Sequence, residues 1–99
     1  MNLDRHIHEK LCSLAQQYHI EKIILFGSRA RESNHEHSDI DLAVYGITNA
    51  ACYLDFQEAI EEQIPTLLRF DLADMNGISV SEELLKEIEK DGIVLYEKI

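Results

Sequence analysis

The chain has no tryptophan, one proline (Pro65) and two cysteines. Cys12 and Cys52 stand apart with no CxxC pairing, which excludes a disulfide-stapled scaffold and a thiolate zinc site. Each falls among the apolar positions of an expected helix, so reduced, buried thiols are expected. No apolar run approaches the ~20 residues needed to span a bilayer. Residues Met1 to His6 carry no apolar stretch of signal-peptide type. A cytoplasmic protein without membrane contact is therefore expected. Basic residues are also scarce: 9 Lys and Arg face 19 Asp and Glu, a net charge of −10. That argues against binding along a nucleic-acid backbone, which needs a basic surface, and no direct nucleic-acid binding is expected. A small anion is still admissible where a divalent metal and oriented amides offset its charge locally. The acidity also suits a basic protein partner, although simple solubility explains it equally.

What is present has the balance of a globular domain, with 45% hydrophobic and 28% charged residues. The length fits one domain covering residues 1–99, with a thin stability margin at that size. Leu3, Ile7, Leu11, Leu14, Ala15 and Tyr18 share one face of a 3.6-residue period, predicting a helix from about Leu3 to Tyr18. Ile23-Ile24-Leu25-Phe26 reads as a short buried strand that runs directly into Gly27-Ser28. Residues 29–38 are polar, with room for one helical turn and a loop. Asp39 to Tyr45 reads as a second strand, stopped at Gly46. Residues 49–64 form an amphipathic helix closed by Pro65, because the residue before a proline avoids helical geometry. Leu67 to Leu72 is expected as the third strand, and Asn76-Gly77 as a turn. Ser79 with Glu82 has the form of a capping box for a helix over Val80 to Lys90. Asp91-Gly92 is expected to end it through a left-handed position, before a last strand over 93–96. The order α-β-α-β-α-β-α-β predicts an α/β (α+β) fold with a single mixed sheet flanked by helices.

Asp39 and Asp41 sit two apart at the start of a strand, so they share a face with Cα atoms ~6.5–7 Å apart while Ile40 points into the core. Alone, such a pair is most simply two solvated acids. The strand ahead of it changes the reading. Glycine lets a backbone approach a ligand closely, and a serine opening a helical turn offers a hydroxyl and amides to an anion. Gly27-Ser28, ten residues and then Asp39-Ile40-Asp41 place a phosphate cradle beside a carboxylate pair. A nucleoside triphosphate with Mg²⁺ needs that combination. Asp71 is a third acid, inside an apolar strand, where a charge needs a partner, a metal or solvent. Two roles are open to Arg29 and Arg31: positive charge near phosphates or pairing with surface acids. His6 and His8 are spaced wrongly for chelation on a helix, and His35 and His37 are read as solvated loop residues.

Gly27-Ser28-Arg29-Ala30-Arg31 followed by Ser38-Asp39-Ile40-Asp41-Leu42-Ala43-Val44 resembles the signature of the minimal, MNT-type nucleotidyltransferases of the DNA polymerase β-like superfamily. The resemblance covers nearly the whole chain. It implies that Asp39, Asp41 and Asp71 are catalytic and hold Mg²⁺, two ions in all. It further implies that Gly27 and Ser28, with Arg29 and Arg31, bind ATP or another triphosphate. The implied reaction moves a nucleoside monophosphate to a hydroxyl and releases pyrophosphate. The resemblance extends to the MNT antitoxins of HEPN/MNT pairs, which implies a HEPN-domain partner modified on a tyrosine. One departure concerns Glu32, where such proteins often have glycine, and it places an acid near the proposed phosphate site. Two other functions are compatible with the sequence. One is a non-catalytic antitoxin that neutralises its partner by binding. The other is adenylylation of a small drug, for which the chain offers no further domain surface unless a dimer supplies it. Homo- or hetero-oligomers are both open.

Overall fold

A computed structural model describes residues 3–35, 37–77 and 80–98. Its elements are α1 (Arg5–Gln17), β1 (Lys22–Phe26), α2 (Ser28–Arg31), β2 (Ile40–Tyr45), α3 (Ala50–Gln63), β3 (Phe70–Asp74), α4 (Glu82–Asp91) and β4 (Ile93–Glu97). The strands form one mixed sheet in the order β3-β2-β1-β4. β1 is central and antiparallel to both β2 and β4, whereas β2 and β3 run parallel. The four apolar residues of β1 are all buried because a strand pairs with it on each side and helices cover both faces.

Side chains alternate across the sheet and separate two cores. Ile23, Leu25, Ile40, Leu42, Val44 and Leu72 pack with Ile7, Leu11 and Leu14 of α1 and with Phe56 and Ile60 of α3. On the other face Ile24, Phe26 and Ala43 pack against Ile88 of α4. That second layer is small and lies mainly over β1, so the starts of β2 and β3 on this face carry polar residues instead.

Local chemistry sets the ends of the helices. The Asp4 carboxylate accepts the backbone N–H of His6 at 2.8 Å and caps α1. α1 ends in a Schellman turn: His19 is left-handed (φ 57°), and the Ile20 N–H donates to the Ala15 carbonyl at 2.8 Å. Asn49 Oδ1 accepts from Cys52 N at 2.8 Å to start α3, and Ile64 before Pro65 is extended, as expected. Ser81, whose Oγ accepts from Leu84 N at 3.1 Å, caps α4. Ser79, expected to cap this helix, lies outside the described residues. Gly92 is extended (φ −64°, ψ 139°) and not left-handed, because the chain passes straight into β4. β3 begins later than the apolar run predicts: Leu67 is fully exposed in the turn after Pro65, and the ladder with β2 runs from Phe70 to Asp74. Cys12 and Cys52 are free but only half-buried. A bulge in β4 leaves Leu95 without a partner in β1. Its carbonyl accepts from His8 Nε2 at 2.8 Å and Cys12 Sγ at 3.3 Å, which ties α1 to the sheet edge. No helix among the described residues is long and apolar enough to cross a membrane.

Candidate active site

The site begins where β1 runs out. Phe26 is the register partner of Asp41, and Gly27 follows with φ 76° and ψ −156°, a conformation essentially reserved for glycine. A Cβ on Gly27 would stand 2.4 Å from Asp41 Oδ2. The backbone geometry therefore favours glycine strongly, and any larger residue would also have to push the Asp41 carboxylate aside. The chain then turns through α2, with the Arg31 N–H donating to the Gly27 carbonyl at 3.2 Å. Glu32 ends α2 in the left-handed region (φ 61°, ψ 28°). Glu32 thus occupies a backbone conformation that favours glycine. The Glu32 side chain itself is exposed.

Asp41 and Asp71 are register partners on the parallel strands β2 and β3, so their side chains leave the same face of neighbouring strands, about 4.8 Å apart. Asp39 lies two residues before Asp41, immediately ahead of β2, and is exposed. Asp41 is half-buried, and its pKa is pushed up from 3.8 to about 6. Partial burial is the main cause, followed by the negative charges of Asp71, Asp39 and Glu87, while Arg31 acts in the opposite direction. The fold thus sets Asp41 beside Asp71 and leaves Asp39 near enough for its charge to act on Asp41. The crowding of charge around Asp41 suits a hard cation with oxygen ligands. Among the described residues no three His, Cys, Asp or Glu side chains form a ready-made metal cage. Mg²⁺ is usually held by one or two carboxylates completed by substrate phosphates, so this donor set fits that ion.

The two arginines have separate surroundings. Arg29 is 5% exposed, and its Nε and Nη2 donate to the Ser38 carbonyl at 3.1 and 2.9 Å. It holds the segment that delivers Asp39. Arg31 is half-exposed and reaches α4, with Nη1 3.4 Å from both Glu87 Oε1 and Asp91 Oδ2. Glu87 and Asp91 were not foreseen as part of the site. The only signal was two acids four apart on one helix, and nothing local pairs them with an arginine 56 and 60 positions away. His35 and His37 are exposed; the His35 N–H donates to Ser38 Oγ at 2.8 Å and shapes the loop. A groove of about 710 Å³ lined by Ile47, Asn49, Tyr53, Asp74 and Leu84 among others lies at the far ends of β2 and β3 and includes none of the three acids.

Comparison with known proteins bears on the family and the fold. Residues 9–99 match the family model described as polymerase beta, nucleotidyltransferase. A Methanocaldococcus jannaschii protein provisionally named a protein adenylyltransferase, MJ0604, is 35% identical over 107 residues, covering 97% of this chain and all of that protein. Among solved structures, a toxin–antitoxin complex with AMP-PNP superposes with a TM-score of 0.71 at 23% identity, over 92% of this chain and 73% of the matched one. A complex of a tri-AMPylated Shewanella oneidensis HEPN toxin with its MNT antitoxin gives 0.65 at 21% identity, over 93% and 71%. The structural likenesses carry the fold and the sequence matches carry the family: this chain is a nucleotidyltransferase and belongs to the polymerase beta nucleotidyltransferase family.

Proposed function

We propose that the chain transfers AMP from ATP to a hydroxyl on a partner protein, a tyrosine of a HEPN-domain toxin, and so acts as its antitoxin. The observation that carries the reading is the register of Asp41 beside Asp71 with Gly27 pressed against Asp41 Oδ2. Support for the transferred group and the partner comes from the AMP-PNP and AMPylated-toxin complexes that share the fold and from the name of the M. jannaschii relative.

In this reading Gly27 and Ser28 take the β- and γ-phosphates, and the bare α-carbon of Gly27 leaves room for the Asp41 carboxylate beside them. Arg31 adds positive charge at the phosphates, while Arg29 keeps Asp39 in place through Ser38. Mg²⁺ held by Asp39, Asp41 and Asp71 would supply charge neutralisation at the leaving pyrophosphate and activation of the acceptor oxygen. Asp71 lies on the edge strand β3, is exposed, and receives the proton of the acceptor hydroxyl. The bond formed is acceptor oxygen to α-phosphorus, and the bond broken joins the α-phosphorus to the bridging oxygen that departs with pyrophosphate.

Replacing both Asp39 and Asp41 by alanine tests this. The substitutions are expected to abolish AMP transfer, preserve the complex with the partner and remove protection against the toxin in cells. Full protection by the double variant would replace the enzymatic reading with neutralisation by binding alone.

A further inference from the structure

We propose that the free edge of β3 is the docking strip for the segment that carries the acceptor hydroxyl: an extended stretch of the partner protein pairs with Phe70, Asp71 and Leu72 and sets its acceptor residue in register with Asp71. The proposal rests on the transfer reading above and adds to it the surface that the acceptor occupies.

β3 is an edge strand, paired with β2 on one side only. The ladder with β2 fixes which backbone groups are open. The Ile40 N–H donates to the Arg69 carbonyl at 2.8 Å, and the Met75 N–H donates to the Val44 carbonyl at 2.9 Å. The odd-numbered residues along β3 therefore turn their backbone groups to β2, and Phe70, Leu72 and Asp74 turn theirs to the free edge. Two of these outward carbonyls are already covered. The Tyr53 hydroxyl donates to the Leu72 carbonyl at 3.3 Å, and the Gly77 N–H donates to the Asp74 carbonyl at 3.0 Å. Among the described residues the Phe70 N–H and C=O and the Leu72 N–H have no partner. The open Phe70 C=O and Leu72 N–H stand on either side of Asp71. An exposed row of unpaired donors and acceptors is a template for another strand, and here it is confined to the stretch beside the acid that receives the acceptor proton.

Register then decides which side chain goes where. Cross-strand partners share a face whichever way the added strand runs, so a residue opposite Asp71 projects beside its carboxylate, on the face that carries Asp41. A tyrosine in that position is the acceptor of the reading above. Its two neighbours project to the opposite face, where two hollows flank the strip. One, of about 290 Å³, adjoins Phe70 and is lined by Gln57, Glu61 and Arg69 among others. The other, of about 710 Å³, adjoins Leu72 and is lined by Ile47, Tyr53 and Leu54 among others; Leu54 is 60% exposed. The first suits a polar side chain and the second an apolar one. The segment that fits has its hydroxyl residue between a polar neighbour and an apolar neighbour. Backbone pairing supplies affinity, and the two hollows supply selectivity.

The test reads amide hydrogen exchange residue by residue in the isotope-labelled full chain. The chain is held with Mg²⁺ and α,β-methylene ATP, whose α–β link cannot be cleaved, with and without a HEPN-domain protein offered as the partner. The Phe70 and Leu72 amides are expected to exchange at least about tenfold more slowly in the complex. In steady-state transfer from ATP, Leu54→Asp is expected to raise KM for the partner at least about fivefold, with kcat and ATP affinity within about twofold of wild type. Val94→Asp, at a 51% exposed apolar residue of the opposite edge strand β4, is expected to leave all three unchanged. A formed complex with unchanged exchange at Phe70 and Leu72 would overturn the proposal, as would a Leu54→Asp chain that behaves like Val94→Asp. Protection of these amides in the chain alone, growing with its concentration, would assign the edge to a second copy and overturn it too. If wild type moved no AMP to the partner, the transfer reading would fall and the docking strip with it; wild-type transfer without these effects removes the docking strip alone.

Discussion

Replacing Asp41 with asparagine is expected to stabilise the metal-free chain while removing its activity. Asp41 is ionised at neutral pH against the charges of Asp71 and Asp39, with part of its surface lost to burial. Its folded pKa of about 6 lies above the ordinary value of 3.8. A group raised in this way contributes stability that is fully present below the unfolded pKa and lost as pH rises through the folded one. The window is therefore about pH 4 to 6, and above it the folded state carries the full cost. Each tenfold change in proton affinity corresponds to about 1.4 kcal/mol, which sets a ceiling near ~3 kcal/mol. Asp41 is only half-buried, and solvent screening reduces this to roughly 1 kcal/mol. For a domain of this size that is about 4–8 °C in Tm. The assay is thermal melting of wild type and Asp41→Asn in EDTA at pH 4.0, 5.0, 6.0 and 7.5. The two proteins should nearly coincide at the acid end and diverge as pH rises, with the variant melting higher. Adding Mg²⁺ at pH 7.5 should raise the wild-type Tm and leave the variant almost unmoved, since only wild type gains a ligand for the folded state. A variant that melts lower at pH 7.5, or a Tm gap independent of pH, would refute the reasoning.

Gly27→Ala should be the more damaging change to the fold. A residue forced into φ 76°, ψ −156° costs about 1–3 kcal/mol, and the new methyl would displace Asp41 Oδ2; a lower Tm by differential scanning calorimetry and lost transfer are expected together. Glu32→Gly should do the opposite, because it relieves a left-handed residue at the end of α2. A gain of about 0.5–1 kcal/mol in urea denaturation is expected, with nucleotide affinity changed little. Arg29→Ala should lower stability by about 1–3 kcal/mol, because the Ser38 carbonyl loses two donors and the interior loses a long side chain. It should also reduce kcat, measured in the same transfer assay, by loosening the approach to Asp39.

The element order was legible because it depended on periodicity and on punctuation, in particular Pro65 and the apolar run ending at Gly27. β3 starts later than its apolar run suggests: Leu67 and Leu68 look like strand residues, whereas the bend after Pro65 uses up that segment and leaves Leu67 in solvent. The spacing of Gly27-Ser28 to Asp39 and Asp41 was readable because it is local. The position of Asp71 beside Asp41 depends on a parallel register between strands separated by a whole helix, and only the fold supplies it. The division of labour between Arg29 and Arg31 was not readable either. Both stand in one polar run, yet one faces the interior and the Ser38 carbonyl, and the other reaches acids from the far end of the chain. Glu32 looked like a question of charge near a phosphate and is equally a question of backbone conformation.

The central claim is AMP transfer to a protein hydroxyl at the three-aspartate site. The direct measurement is incubation of the chain with ATP, Mg²⁺ and a HEPN-domain protein offered as the proposed partner, followed by intact mass of both proteins. The account predicts that the partner gains one or more AMP units, located on tyrosine by fragmentation, and that Asp39→Ala produces none. A stable complex in which neither protein changes mass would contradict it.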